Sequence, residues 1–227
     1  MLYNVVVNDW GETTYVPTLL GKTILVVVLI ILFAIGILIT KDKRKDKEQK
    51  TLLSAKQLAF CAMSIALGTI LSNIKLFSFP TGGSLTLLSM LFICLPGYWF
   101  GAGVGILTGV AYGILQLVID PYVLYPLQLV VDYLLAFGAL GLSGFFSNSK
   151  HGILKGYFVA VLGRYVFAVL SGWIFFGTYA WDGWNALPYS LAYNAVYIFT
   201  EAAITIVIIA IPAVNNGLAT IKKLAVE

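Results

Sequence analysis

Two polar side chains within apolar sequence, Asp132 and Asn194, are the residues best suited to hold a ligand. A carboxylate can neutralise a cation, and a carboxamide both donates and accepts hydrogen bonds. The chain has a single histidine, His151, and shows no close pair of carboxylates and no nucleophile beside a base. We therefore predict binding without catalysis, with no enzymatic activity, no catalytic residue, no metal ion and no cofactor.

Aromatic residues cluster around this carboxylate and amide along the sequence. Tyr133 adjoins Asp132, and Tyr189 lies five residues before Asn194. Aromatic faces stack on flat rings and attract cations. The combination predicts a pocket for a flat organic molecule that is cationic or forms hydrogen bonds, although an aromatic belt at a membrane interface uses the same residue types. The other members of the cluster are Tyr122, Tyr125, Phe175, Phe176, Tyr179, Trp181 and Trp184.

The elements that must position these side chains are membrane-spanning helices. Hydrophobic residues make up 60% of the 227 and charged residues 11%, whereas soluble domains carry about 25% charged residues. A spanning helix needs about 20 mostly apolar residues. We therefore expect an all-α membrane protein in a lipid bilayer. The apolar runs predict seven spans, at about 18–40, 53–73, 85–100, 102–118, 124–146, 154–176 and 187–211.

The basic residues predict the orientation of the chain. Eleven of the fourteen Lys and Arg residues fall on one side of the predicted membrane, six of them within 41–50, and two fall on the other side. Because basic loops face the cytoplasm, we expect the N-terminus outside and the C-terminus in the cytoplasm. Asp132 then lies about 12 Å from the outer end of its span. The net charge of +4 comes largely from this basic block and does not indicate nucleic-acid binding.

Two further charged residues, Arg164 and Glu201, fall near the middle of their predicted spans. An unpaired charge at that depth is costly. We predict that the two residues form a buried ion pair. The alternatives are roles in ligand binding or in a proton relay.

Small residues form two stripes at helical spacing. Glycines recur at every fourth position of the fourth span, which predicts close packing against another helix. Alanines in the second span are spaced by four, three and four residues, a pattern that suits either internal packing or docking of another membrane subunit. The glycines are 101, 105, 109 and 113, and the alanines are 55, 59, 62 and 66.

The sequence carries no recognisable nucleotide-binding motif. Gly21-Lys22-Thr23 resembles the end of a phosphate-binding loop, but Val16 stands where that motif requires its first glycine. If the protein transports actively, the energy must come from a partner or from an ion gradient.

Several separated motifs occur in an order and at spacings typical of one family of vitamin-binding membrane proteins. They are Leu71-Ser-Asn-Ile-Lys75, Phe79-Pro-Thr-Gly-Gly-Ser84, Gln116-Leu-Val-Ile-Asp-Pro121, Pro126-Leu-Gln-Leu-Val-Val-Asp132-Tyr133-Leu-Leu-Ala-Phe-Gly138, Gly163-Arg-Tyr165, Ser171-Gly172, Phe175-Phe176 and Tyr189-Ser-Leu-Ala-Tyr-Asn194. Together they resemble the thiamine-specific substrate-binding subunits (S components, the ThiT family) of bacterial energy-coupling factor (ECF) transporters. The resemblance covers about residues 53–213.

The resemblance implies a six-helix S-component core at 51–227, preceded at 1–50 by an extra transmembrane helix and a basic cytoplasmic linker. It implies high-affinity thiamine capture near the outer face of a bacterial cell membrane. Translocation would then need a membrane coupling subunit and two cytoplasmic ATPase subunits, with Ala62 and Ala66 docking on the coupling subunit. The family's substrate-binding positions correspond to Asp132, Tyr122, Tyr133, Gly172, Phe176, Tyr189 and Asn194.

One position departs from the family pattern. Ala168 stands where the resemblance leads us to expect a pocket histidine, four residues before Gly172. An S component for another vitamin or precursor, a pyridoxine-like or pyrimidine compound, is therefore an alternative, whereas Asp132 favours a permanent cation. A second alternative is an ion-coupled secondary transporter, for which repeated halves with broken helices would be expected. We see no internal repeat.

Overall fold

The computed structural model describes residues 3–7, 13–21, 23–24, 27, 53–79 and 82–227. Within these residues the core consists of six apolar helices, and all but the second are long and apolar enough to cross a membrane. A further helix, α7, follows the core. The helices are α1 (Ala55–Ser72), α2 (Ser89–Phe100), α3 (Ala102–Ile119), α4 (Pro126–Phe146), α5 (Gly152–Phe175), α6 (Ala186–Ala210) and α7 (Pro212–Val226).

The six core helices agree with the predicted spans to within a few residues. The largest difference is at α2, which begins at Ser89 rather than at 85, because residues 84–86 form a strand. Most of the predicted span at 18–40 and the linker up to residue 50 lie outside the described residues. The extra N-terminal helix therefore stays a prediction.

Two short antiparallel hairpins accompany the helices and were not predicted. Strand β1 (Tyr3–Val7) pairs with β2 (Thr13–Pro17), and β3 (Lys75–Ser78) pairs with β4 (Ser84–Thr86). The second hairpin connects α1 to α2. Strands of three to five residues are too short to give a clear periodic signal within an apolar sequence.

The loops that connect the packed helices lie at two opposite ends of the bundle. We call one the pocket end; it holds the β3–β4 hairpin and the loops at 120–125 and 176–185. The other, the basic end, holds the loop at 147–151 and α7. There Lys222 donates to the carbonyl of Ser147 and lies 4.0 Å from the Tyr98 ring centroid. Burial lowers the pKa of Lys222 from its ordinary value.

Helices α3 and α4 approach each other backbone to backbone. A Cβ atom added at Gly109 would overlap the carbonyl of Phe137, and one added at Gly113 would overlap the carbonyl of Tyr133. Another glycine of the stripe, Gly105, lies in the same way against Gly97 and Gly141. The predicted internal packing of the glycine stripe is confirmed for these three positions. Gly101 differs, since it precedes α3 at a φ of 94° and a Cβ there would meet nothing within 4 Å.

The close approach at Gly113 gives a testable expectation. Gly113→Ala should destabilise the fold by about 1–3 kcal/mol, the usual cost of inserting a methyl group into a packed core. Thermal unfolding of the detergent-solubilised protein measures the effect. Gly103→Ala is the matched control, because this exposed glycine of α3 has nothing within 4 Å of an added Cβ. Equal unfolding temperatures for the two variants would show that α3 and α4 are not in contact at Gly113.

Candidate binding site

A cavity of about 360 Å³ lies at the pocket end. Cavities that bind small molecules typically measure about 300–1,000 Å³. Its walls come from the β3–β4 hairpin, the loop at 120–125 and helices α3, α4, α5 and α6. All seven residues predicted to bind substrate line this one cavity, namely Tyr122, Asp132, Tyr133, Gly172, Phe176, Tyr189 and Asn194. Which of them contact a ligand stays a prediction.

Asp132 and Tyr133 lie in an irregular part of α4. Residues Val130–Leu135 form a π-helix, a wider turn than the α-helix and one that is frequent at functional sites. The wider turn brings consecutive side chains closer in angle, which helps both residues to line the same cavity. The Asp132 Oδ2 atom accepts a hydrogen bond of 3.0 Å from Gln128 Nε2. The sequence did not predict this π-helix.

Side chains of α4 hold the loop at 120–125 in place through hydrogen bonds. The hydroxyl of Tyr133 accepts a 2.8 Å hydrogen bond from the backbone N–H of Tyr122. The Gln128 side chain also bonds to this loop, donating to the Tyr122 carbonyl at 3.2 Å and accepting from the Leu124 N–H at 2.8 Å. Gln128 lines the cavity, and sequence reasoning missed it. Its position four residues before Asp132, one helical turn, is the signal that could have revealed it.

Asn194 has an amide group that is largely engaged within the protein. Its Nδ2 donates to the carbonyl and the hydroxyl of Ser190, at 2.9 and 3.2 Å, and its Oδ1 accepts from Tyr197 at 2.6 Å. An amide oxygen has two lone pairs, so Asn194 can offer a ligand one acceptor position. Gly172 allows this arrangement, because a Cβ there would overlap Ser190 Oγ and lie 3.1 Å from Asn194 Nδ2.

The aromatic cluster divides into a part that lines the cavity and a part outside it. Tyr122 and Phe176 have nearly parallel rings, 17° apart, with centroids separated by 6.2 Å. Tyr189 contacts Trp181 edge to face at 5.1 Å. Trp181 is exposed and does not line the cavity. The other members of the cluster outside the cavity lining are Tyr125, Phe175, Tyr179 and Trp184. Five aromatic residues line the cavity without having been predicted, namely Phe79, Tyr112, Phe137, Tyr193 and Tyr197.

The turn of the β3–β4 hairpin borders the cavity. Gly82 and Gly83 adopt φ angles of 87° and 80°, which other L residues rarely adopt. The carbonyl of Gly82 accepts a 2.8 Å hydrogen bond from the Tyr193 hydroxyl. At the start of the hairpin, Lys75 forms a 2.5 Å ion pair with Asp120, so the hairpin is tied both to α6 and to the loop at 120–125.

The predicted ion pair between Arg164 and Glu201 is wrong. The Glu201 carboxylate instead accepts hydrogen bonds from the hydroxyls of Thr86 and Ser89, at 2.7 and 3.0 Å, and from the N–H of Met90 at 3.1 Å. These donors surround the N-terminus of α2, where unpaired N–H groups and the helix dipole favour an anion. A carboxylate that is satisfied in this way does not need a cation.

Arg164 lines the cavity rather than pairing with a carboxylate. Its guanidinium carbon lies 4.6 Å from the centroid of the Phe137 ring, a cation–π contact. Among the described residues, the ion pair between Lys75 and Asp120 is the only one found. The same residues contain no group of three or more His, Cys, Asp or Glu side chains that could hold a metal ion. The chemical groups that converge on the cavity are thus a carboxylate, a guanidinium, amides, hydroxyls and aromatic faces, which suit binding.

Comparisons with known proteins agree with this architecture. The model of the thiamine transporter protein family (Thia_YuaJ) matches residues 58–220. The thiamine transporter ThiT of Bacillus subtilis (strain 168) is 31% identical over 176 residues, covering 71% of this chain and 91% of that protein. The thiamine transporter ThiT of Lacticaseibacillus paracasei is 29% identical over 121 residues, covering 46% of this chain and 60% of that protein.

A solved structure of ThiT from Listeria monocytogenes has a TM-score of 0.62 to this chain at 26% identity, covering 74% of this chain and 96% of that one. The predicted all-α membrane fold is thereby confirmed. The family match extends from within α1 into α7 and includes all the residues that line the cavity, whereas residues 1–57 and 221–227 lie outside it. The protein is a multi-pass membrane protein of a transporter family rather than an enzyme. The chain belongs to the thiamine transporter protein family.

Proposed function

We propose that this chain captures thiamine in the cavity around Asp132, as the substrate-binding subunit of an ATP-driven ECF-type vitamin importer. One observation carries the proposal: the Asp132 carboxylate, on a helix long and apolar enough to cross a membrane, lines a cavity that is also lined by nine aromatic side chains. A charge within a membrane-spanning helix is costly, so its presence indicates a functional site. The relatives that share the fold are named thiamine transporters.

The chemistry of thiamine suits the groups that converge on the cavity. Its thiazolium ring is a permanent cation, for which the Asp132 carboxylate supplies the countercharge. Its two rings are flat and can lie against aromatic faces such as those of Tyr122 and Phe176. Its aminopyrimidine ring carries an amino group that can donate to the free lone pair of Asn194 Oδ1. Each interaction involves a different part of the ligand, so their sum discriminates against molecules that carry only one of these groups.

The proposed orientation places the cavity toward the outside of the cell. Among the residues that the structure describes, the pocket end holds one lysine, Lys75, which is paired with Asp120. Basic residues follow the cytoplasmic side of membrane proteins, so the basic end is assigned to the cytoplasm, with the C-terminus inside and the N-terminus outside. The described lysines of the basic end are Lys56, Lys150, Lys155, Lys222 and Lys223.

Transport requires energy that the sequence of this chain does not supply, since it carries no recognisable nucleotide-binding motif. A coupling subunit in the membrane and two cytoplasmic ATPases fill that role in the proposal. The alanine stripe of α1 is the proposed docking surface, with Ala62 and Ala66 at its centre. All four alanines are exposed on α1, and the helix packs on the core through Cys61, Ser64 and Gly68. This exposure argues against the internal-packing interpretation of the stripe.

A related vitamin is the second candidate ligand, and Ala168 is the observation that favours it. Ala168 lines the cavity, and its methyl group offers neither a ring face nor a hydrogen bond at a position where the family pattern led us to expect a histidine. A pyridoxine-like or pyrimidine compound would depend less on such a contact. Thiamine stays the leading candidate because a permanent cation can neutralise the Asp132 carboxylate, whereas a neutral ring adds no positive charge to that of Arg164.

Calorimetry on the purified, detergent-solubilised chain tests the ligand directly. We expect heat of binding with thiamine and quenching of tryptophan fluorescence, with Trp181→Phe reducing the quench because Trp181 packs on Tyr189. Pyridoxine and a free aminopyrimidine serve as competitors, and mass spectrometry identifies small molecules that co-purify. Binding of pyridoxine or the pyrimidine, without any response to thiamine, would exclude thiamine as the ligand.

A further inference from the structure

The buried side chain of Gln128 connects the cavity carboxylate to the loop that carries Tyr122. Only 1% of Gln128 is exposed, and its amide makes four hydrogen bonds. Oε1 accepts from the N–H groups of Leu124 and Tyr125 at 2.8 and 3.3 Å. Nε2 donates to the carbonyl of Tyr122 at 3.2 Å and to Asp132 Oδ2 at 3.0 Å. The amide therefore uses both of its donors and both of its lone pairs.

These partners fix which way the amide points. Rotating the group by half a turn would place Nε2 against two N–H donors and Oε1 against a carboxylate and a carbonyl, so four attractive contacts would become repulsive. The terminal torsion of an aspartate is broad and has no strong rotamer preference of its own. The hydrogen bond from Gln128 therefore helps to set the plane in which the Asp132 carboxylate faces the cavity.

We propose that Gln128 is a positioning residue for ligand binding, acting through Asp132. The proposal rests on the function proposed above, in which Asp132 supplies the countercharge of the ligand. Gln128 also has a plainly structural role, because its Oε1 accepts the N–H of Tyr125, the residue that caps the start of α4. A Gln or Glu at this third helical position is typical of helix capping. The two roles use opposite ends of the same amide and can be separated.

Gln128→Glu separates them. A glutamate retains the oxygen that accepts from Leu124 and Tyr125, and it serves equally well at the capping position. It loses both N–H bonds of Nε2, to Asp132 and to the Tyr122 carbonyl, and presents an oxygen there instead; the cycle with Asp132→Asn below isolates the part that acts through Asp132. Two carboxyl groups at this distance share one proton, so the pair carries the same single negative charge as Asp132 alone, divided between positions 128 and 132. We expect thiamine affinity to fall about 10- to 100-fold, since the ordered, fully ionised carboxylate of Asp132 is lost. Calorimetry that gives wild-type affinity for Gln128→Glu would reduce Gln128 to a helix cap and overturn the inference.

A double-mutant cycle with Asp132→Asn shows whether Gln128 acts through Asp132. Contacting residues give non-additive effects, whereas independent residues give additive ones. In the Asp132→Asn background, Gln128→Glu should therefore cause no further loss of thiamine affinity, and an undiminished loss would count against the inference. In this double variant the amide at position 132 can donate to the carboxylate at position 128. The hydrogen bond between the two positions is therefore kept, with donor and acceptor exchanged.

The same cycle without ligand distinguishes failure of this inference from failure of the proposed function. In the ligand-free Gln128→Glu protein, two carboxyl groups would face each other across the present 3.0 Å contact and could not both ionise without repulsion. Its unfolding temperature should therefore fall relative to wild type as the pH rises, and Asp132→Asn should abolish this difference. A variant that unfolds at neutral pH but is rescued by Asp132→Asn also supports the contact. The same pH dependence in variant and wild type would overturn it, whether or not thiamine binds.

Discussion

A chain in which Ala62 and Ala66 are both replaced by Trp is expected to bind thiamine normally and to support no uptake. Lipid tails satisfy apolar side chains as well as a protein surface does, so close helix contact in a membrane depends on small residues and on shape. Two indole rings on the exposed face of α1 would hold a coupling subunit away. The residues that line the cavity lie toward the pocket end, so the isolated chain should keep its affinity.

The measurements are co-purification with the coupling and ATPase subunits, thiamine uptake by cells, and calorimetry on the isolated variant. Leu67→Trp is the matched control, because Leu67 is 43% exposed on the same helix but lies about 100° around it from the alanine stripe. Loss of assembly in the alanine variant and not in the control supports docking at the stripe. Normal assembly and uptake by both variants would show that the stripe has no role in docking. Uptake by the wild-type chain alone, in liposomes without ATPase subunits, would instead favour an ion-coupled transporter.

Asp132→Asn should weaken thiamine binding by about 1.5–3 kcal/mol, the value for a hydrogen bond to a charged group. Asparagine keeps the size and one oxygen of the side chain but removes the charge. A neutral isostere, in which an uncharged ring replaces the thiazolium, should therefore lose much less affinity than thiamine does. Calorimetry with both ligands on both proteins separates the contribution of charge from that of shape.

The matched control for this prediction is Asp120→Asn. Asp120 also lines the cavity, but it is exposed at the pocket end and already paired with Lys75. Exposed ion pairs contribute about 0–1 kcal/mol, so this change should have little effect on thiamine binding. If Asp132→Asn weakened thiamine and the neutral isostere equally, Asp132 would be a structural residue and the cation would have another counterpart.

The sequence by itself determined the membrane class, the six core helices and seven of the residues that line the cavity. The membrane spans can be predicted from the sequence because each helix by itself must be long enough and apolar enough to cross the bilayer. Asp132 and Asn194 stand out for the same reason, since a polar side chain in an apolar run is visible without knowing its neighbours. The separated motifs then predicted Gly172, which no local chemistry would have indicated and which the structure places against Ser190 and Asn194.

The tertiary structure alone decided which polar groups satisfy one another. Glu201 lies 115 residues from Thr86 in sequence. No periodic pattern predicts that this carboxylate of α6 lies against the N-terminus of α2. The exposure of the alanine stripe, the π-helix at Asp132 and the four hydrogen bonds of Gln128 were likewise invisible in the sequence. Hydropathy is a property of each segment, whereas hydrogen-bond partners depend on how segments pack, and a buried polar group accepts whichever donor the packed helices bring within reach.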